Sequence, residues 1–173
     1  MTEWGGAGTR TGSGSQRARL LTAVAGAGSA ALLGGALAFQ YIGGLAPCHL
    51  CILQRWPHGI AVVLALVFLA LGRRVVALLG AAVVAVGAGI GAYHVGVEQG
   101  WWAGPTSCTA PAPGSMSTGA LLDQILATPL VLCDQVAWSL FGVSMAGWNA
   151  LASLVLVALW LAAYASSSAS QYR

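Results

Sequence analysis

The chain has 173 residues, 58% hydrophobic and only 6% charged, with a mean hydropathy of +0.80. Soluble domains carry about 25% charged residues, so a water-soluble globule is excluded and a membrane protein follows. The net charge is +3, every basic residue is an arginine, and no basic stripe or run exists, which leaves nucleic acid without an electrostatic footprint.

At about 20 apolar residues per span, this length holds four helices and short loops. The first apolar block covers about 20–42, is rich in Ala and Gly, and follows Arg10, Arg17 and Arg19. Within it, Ala36-Leu37-Ala38 resembles a signal-peptide cleavage site. The apolar stretch nevertheless exceeds the 7–15 or so residues of a signal core, so it is expected to remain as a span. Residues 1–19 are expected to form a disordered cytoplasmic tail. The second block covers about 57–72 and stops at Arg73 and Arg74; the third covers 75–97. The fourth covers 140–164 and leads into a Ser-rich tail at 166–173. Gly34, Gly35, Gly80, Gly87, Gly89 and Gly91 suit a bundle in lipid, where small residues let helix backbones approach closely.

The arginines set the orientation. They cluster before block one, between blocks two and three, and at Arg173, and the positive-inside rule assigns these segments to the cytoplasm. The loops at about 43–56 and 98–139 then face outside; the second carries Glu98, Asp123 and Asp134 and no arginine. The expected fold is an all-α membrane protein with four transmembrane helices over 20–165, two loops on the outer side, and cytoplasmic N- and C-termini.

This arrangement gathers all four cysteines on the outer, oxidising side, where disulfides persist. Cys48 and Cys51 form a Cys-x-x-Cys in the first loop; Cys108 and Cys133 lie in the second. A cysteine at a helix N-terminus or beside a cation becomes a better thiolate. If the segment is helical, Arg55 shares a face with Cys51 and would favour a thiolate or another developing anion. Pro57 marks either the helix start or a kink. The alternatives are an inert disulfide or a zinc site. Zinc sites commonly use two closely spaced pairs, whereas residues 109–132 separate Cys108 from Cys133, so no metal is expected.

Pro105, Pro111, Pro113, Gly114 and Pro129 make the second loop irregular, with residues 119–126 as a possible amphipathic helix on the membrane surface. Its cysteine pair either staples the loop or exchanges; two pairs on one side favour exchange. His94 and Glu98 end block three beside Trp101 and Trp102, which read as interfacial anchors. A histidine in a span is a site candidate, although His94 near the interface could simply be hydrated; His58 lies near the same level. Trp138, Trp148 and Trp160 read as belt or packing residues. Among four acidic residues there is no carboxylate pair, and there is no phosphate-binding glycine loop, so hydrolase and ATPase readings have no residues to rest on.

The chain resembles the disulfide-bond formation protein B (DsbB) family. The likeness rests on Pro47-Cys48-His49-Leu50-Cys51 with Gln54-Arg55 and Pro57-His58, then Tyr93-His94-Val95-Gly96-Val97-Glu98 with Trp101-Trp102 and Gly104-Pro105. It continues in Cys133-Asp134, Trp138, Leu140-Phe141-Gly142, Ser144-Met145 and Trp148-Asn149, and covers about 20–165. The resemblance implies an antiparallel four-helix transmembrane bundle in the bacterial inner membrane. It further implies a protein-dithiol:quinone oxidoreductase whose catalytic residues are Cys48, Cys51, Cys108 and Cys133. A reduced thioredoxin-fold periplasmic partner similar to DsbA would attack Cys108, the freed Cys133 would exchange with Cys48, and Cys51 would face ubiquinone or menaquinone. Arg55 and His94 are implied as quinone contacts. Two other readings compete: a vitamin K epoxide reductase type, whose Cys-x-x-Cys is expected late in the bundle, and a non-enzymatic membrane protein with permanent disulfides.

Overall fold

Four stretches are long and apolar enough to cross a membrane, and each folds as a helix. The computed structural model describes residues 8–105, 119 and 132–168. The helices are α1 (Gly8–Tyr41), α2 (His49–Leu71), α3 (Arg74–Glu98) and α4 (Met145–Ser168). Each packs on the next and α4 closes back on α1, giving a four-membered ring. Only Gly72 and Arg73 separate α2 from α3. Gly72 takes φ 65, a left-handed conformation that costs glycine little, and its N–H bonds Phe68 O, so the chain reverses at once.

The boundaries differ from the sequence expectation in four places, the first being that α4 runs on to Ser168, into the segment expected as a tail. Helix α1 starts at Gly8 rather than near Leu20, so residues 8–19 are helical instead of a disordered tail. Within this extension Ala18 is buried, and it continues a stripe of small buried side chains with Thr22, Ala25 and Ser29 at spacings of four and three residues along one face. Helix α2 starts at His49, with Pro57 inside it rather than at its head. Helix α4 starts at Met145, because residues 139–144 fold as a hairpin instead. Its strands β1 (Ser139–Leu140) and β2 (Val143–Ser144) pair antiparallel, with Leu140 opposite Val143. Phe141 (φ 51) and Gly142 (φ 77) occupy the two-residue turn, both left-handed as a type I′ turn requires. Ser144 then caps α4 by accepting a 3.1 Å bond from Gly147 N–H.

The core has two parts. Toward the Arg73–Arg74 end, Phe68, Val84 and the fully buried Trp160 pack among alanines. A Cβ at Gly80 would lie 2.6 Å from the Trp160 indole, so the close approach of α3 and α4 depends on that glycine. At the opposite end a smaller cluster joins Cys48, Leu50, Val97 and Cys133. After α3 the chain folds back through Tyr93 and Trp102, stacked at 5.8 Å, with Trp102 Nε1–H donating to Tyr93 O. Of the expected surface helix at 119–126 only Gly119 is described, and the tail after residue 168 lies outside the described residues.

Candidate redox site at one end of the bundle

The N-terminus of α2, the C-terminus of α3 and the segment leading into α4 meet at the end away from Arg73 and Arg74, and each brings reactive groups. Cys48 is the N-cap of α2, and its Sγ accepts a 3.2 Å bond from Cys51 N–H. Helix N-termini favour negative charge, which is why a Cys-x-x-Cys placed there is suited to thiolate chemistry. The Cys48 thiol lies 2.7 Å from Cys51 Sγ and donates to it. That hydrogen bond, followed by burial, pushes the Cys48 thiol well above the ordinary thiol range. Cys48 is the guarded member of the pair, and Cys51 is the more exposed one.

Cys133 is fully buried beneath Leu50 and Val97. Its Sγ, Cys48 Sγ and His94 Nε2 all lie within 4.8 Å of one another. The fold therefore brings together one cysteine of the first loop, one of the second, and the histidine of α3. Cys108 lies outside the described residues.

His94 is oriented by a chain of amides. His58 Nε2 donates to Asn149 Oδ1 at 2.9 Å, and Asn149 Nδ2 donates to Gln54 Oε1 at 2.6 Å. Gln54 Nε2 in turn donates to His94 Nδ1 at 2.9 Å. An imidazole that accepts at Nδ1 carries its proton on Nε2. That N–H meets Cys133 O at 3.2 Å, with Cys48 Sγ at 3.7 Å and Glu98 Oε1 at 3.9 Å. All four residues of the chain come from apolar helices, where a polar side chain is costly unless satisfied. Gln54 and Asn149 were absent from the sequence-level site. The signal that could have found them was two amides inside spans that otherwise carry few polar residues.

Arg55 lies one turn below Cys51 on the same face of α2, as expected for a helical segment. Its guanidinium reaches α1, donating to Gln40 Oε1 at 2.6 Å and Ala36 O at 3.4 Å. Among the described residues no carboxylate pairs with it. Cys51, Arg55, His94, Trp138, Phe141 and Met145 line one cavity of about 400 Å³, mostly apolar, that runs between α1 and α4 under the hairpin. Trp138 packs on Phe39 at 5.4 Å and forms part of the wall, so it is more than a belt residue. Trp160 belongs to the core, and Trp148 Nε1–H ties α4 to the hairpin at Leu140 O.

Comparison with known proteins agrees with this layout. The family model described as "Disulfide bond formation protein DsbB" matches residues 18–163. A disulfide bond formation protein B of Methylococcus capsulatus is 38% identical over 146 residues, covering 76% of this chain and 85% of that relative. One from Albidiferax ferrireducens is 33% identical, covering 74% and 79%. One from Stutzerimonas stutzeri is also 33% identical, covering 82% and 93%. No solved structure gives a significant match. A multi-pass helical bundle with thiols gathered at one end, matched by that family over most of its length, makes this chain a member of the DsbB family of disulfide bond formation proteins.

Proposed function

We propose that the protein reoxidises a periplasmic thioredoxin-fold dithiol protein similar to DsbA and passes the electrons through two disulfides to a membrane quinone. The observation that carries this reading is the meeting of Cys133, Cys48 and His94 within 4.8 Å. Thiol–disulfide exchange needs a thiolate within reach of a disulfide sulfur, and a Cys133 thiolate there can attack Cys48 Sγ.

In the proposed cycle a partner thiolate attacks the Cys108–Cys133 disulfide at Cys108, forming a mixed disulfide and releasing Cys133. The Cys133 thiolate attacks Cys48, which opens the Cys48–Cys51 disulfide and releases Cys51 as a thiolate. The partner's second thiol resolves the mixed disulfide, Cys108 recaptures Cys133, and Cys48 and Cys51 are left as the reduced pair. That pair loses two electrons and two protons as its disulfide re-forms. Ubiquinone or menaquinone, when bound, supplies the two-electron, two-proton acceptor.

The cavity suits such an acceptor. It is apolar enough for an isoprenoid quinone, and its polar lining includes two hydrogen-bond donors, the Arg55 guanidinium and the His94 imidazole, beside Gln54, Asn149 and Glu98. Arg55 and His94 would hold the ring through its oxygens, and Arg55 would stabilise negative charge there or on Cys51. Charge-assisted hydrogen bonds contribute about 1.5–3 kcal/mol. Arg55→Ala is therefore expected to raise the apparent KM for quinone at least tenfold while leaving partner binding intact. An unchanged quinone KM would remove Arg55 from the site. The thiol order is tested by trapping: with Cys133→Ser, an oxidised-partner adduct through Cys108 should accumulate on non-reducing gels, and an adduct through Cys48 instead would reverse the order. The thiol end is proposed to face the periplasm of the bacterial inner membrane, in keeping with Arg73 and Arg74 at the other end of the bundle.

A further inference from the structure

The spacing of the cysteines along the chain argues against zinc, but the fold supplies a ligand that spacing could not reveal. His94, from α3, stands between a cysteine of each loop. Cys48 and His94 are 4% and 3% exposed and Cys133 is fully buried. Tetrahedral zinc holds sulfur at about 2.3 Å and imidazole nitrogen at about 2.0–2.1 Å, which places those two ligand atoms about 3.6 Å apart. Cys48 Sγ and His94 Nε2 are 3.7 Å apart, already at that separation. Two thiolates and a neutral imidazole cancel the charge of a divalent cation, so with water as the fourth ligand the complex carries no net charge in the low-dielectric interior.

Two further features fit a cation. Glu98 Oε2 is buried without a hydrogen-bond partner, and Glu98 Oε1 is 3.9 Å from His94 Nε2. The Glu98 carboxylate is thus at hand to accept a hydrogen bond from a water in the fourth position. The Gln54 amide can also serve the ligand state. Metal binding at Nε2 requires the proton on Nδ1. With the Gln54 and Asn149 amides turned together, Gln54 Oε1 accepts from that Nδ1–H and Asn149 Oδ1 accepts from Gln54. Asn149 Nδ2 then donates to His58 Nε2, and the chain supports a ligating histidine.

We infer that the fully reduced protein binds one thiophilic divalent cation, zinc in the cell, on Cys48, Cys133 and His94, and that the oxidised protein binds none. Binding displaces the two thiol protons and transfers no electrons. Its consequence rests on the proposed relay: with Cys48 held on the metal as a thiolate, the Cys48–Cys51 disulfide cannot re-form, and the fully reduced enzyme is held when its electron acceptor is scarce. Cys48 and Cys133 come from different disulfides, so the cation needs both pairs reduced. Each tenfold of free zinc above its Kd therefore raises the potential of the last two-electron step to the fully reduced protein by about 30 mV.

The test uses the full chain in detergent, reduced anaerobically with dithiothreitol, desalted, and titrated with Cd2+ followed by Zn2+ competition. One equivalent of Cd2+ should bind the reduced protein with a thiolate-to-metal absorption band in the ultraviolet, and the oxidised protein should give no band. Cys133→Ser and His94→Gln should each weaken binding at least tenfold, whereas Cys108→Ser should leave it unchanged. Absence of saturable binding in the reduced wild type would overturn the inference, and this comparison needs no variant to fold. Unchanged affinity in Cys133→Ser and His94→Gln would overturn it too, by reducing the site to a Cys48–Cys51 chelate. Quinone turnover measured in chelator-treated buffer reports on the relay separately, so failure of one reading is distinguishable from failure of the other.

Discussion

Replacing Gln54 with Met keeps the length of the side chain and removes its amide, which links three helices of the site. Gln54 donates to His94 Nδ1 on α3 at 2.9 Å and accepts from Asn149 Nδ2 on α4 at 2.6 Å. Interhelical hydrogen bonds in membranes contribute about 0.6 kcal/mol on average and about 1.7 at most, and the apolar replacement gains little because lipid is already apolar. Losing two such bonds should therefore cost about 1–3 kcal/mol. If the same bonds hold His94 in its working orientation, that energy corresponds to roughly a 5- to 150-fold fall in kcat/KM. The assay is steady-state quinone reduction with a reduced thioredoxin-fold partner, run with thermal unfolding in the same detergent. Because Gln54 acts through His94, the double variant with His94→Gln should lose less than the sum of the two single losses. Gln54→Glu, which can still accept from Asn149, should fall between Met and wild type. Kinetics within twofold of wild type together with fully additive losses would refute the positioning role.

The remaining predictions concern packing and thiol reactivity. Gly80→Ala should lower stability by about 1–3 kcal/mol through overpacking, because the new Cβ meets the buried Trp160 ring at 2.6 Å. Gly89→Ala on the same helix meets nothing within 4 Å and should be neutral or stabilising, up to about 1 kcal/mol from helix propensity. Detergent unfolding of the pair checks both, and equal losses would contradict the close approach of α3 and α4 at Gly80. In the reduced protein, iodoacetamide should label Cys51 before Cys48 at pH 7–9, by mass spectrometry, since Cys48 is buried and its thiol is held protonated. A raised thiol pKa means the folded state keeps a proton that the unfolded chain loses. The associated stability is present in full below the free-thiol value of about 8.5 and declines as pH rises above it. Cys48→Ser should remove that alkaline decline, and its persistence would assign it to another group.

Four helices were legible in the sequence because apolar runs bounded by arginines leave little choice of architecture. The pairing of Arg55 with Cys51 on one face was legible too, since it needs only the 3.6-residue period. The start of α2 was not, because Pro57 looks like a helix head; the cap lies at Cys48, where the sulfur itself accepts from Cys51 N–H. The early start of α1 was hidden by the glycines and polar residues before Leu20, which look like a tail; among residues 13–19 Ala18 alone is buried. Gln54 and Asn149 could not be joined from sequence: they stand on different helices, and only the packing of α2 against α3 and α4 lets the amides link His58 to His94. The hairpin at 139–144 was masked by its own apolar residues, which extend the fourth block.

The central claim is tested most directly by quinone reduction. The purified full chain is supplied with a reduced DsbA-like partner and either ubiquinone or menaquinone, and the quinone absorbance is followed beside Cys51→Ser and Cys108→Ser. Turnover in the wild type that disappears in both variants is the predicted result. No turnover with either quinone, from folded protein, would contradict the account and leave the cysteines as structural disulfides.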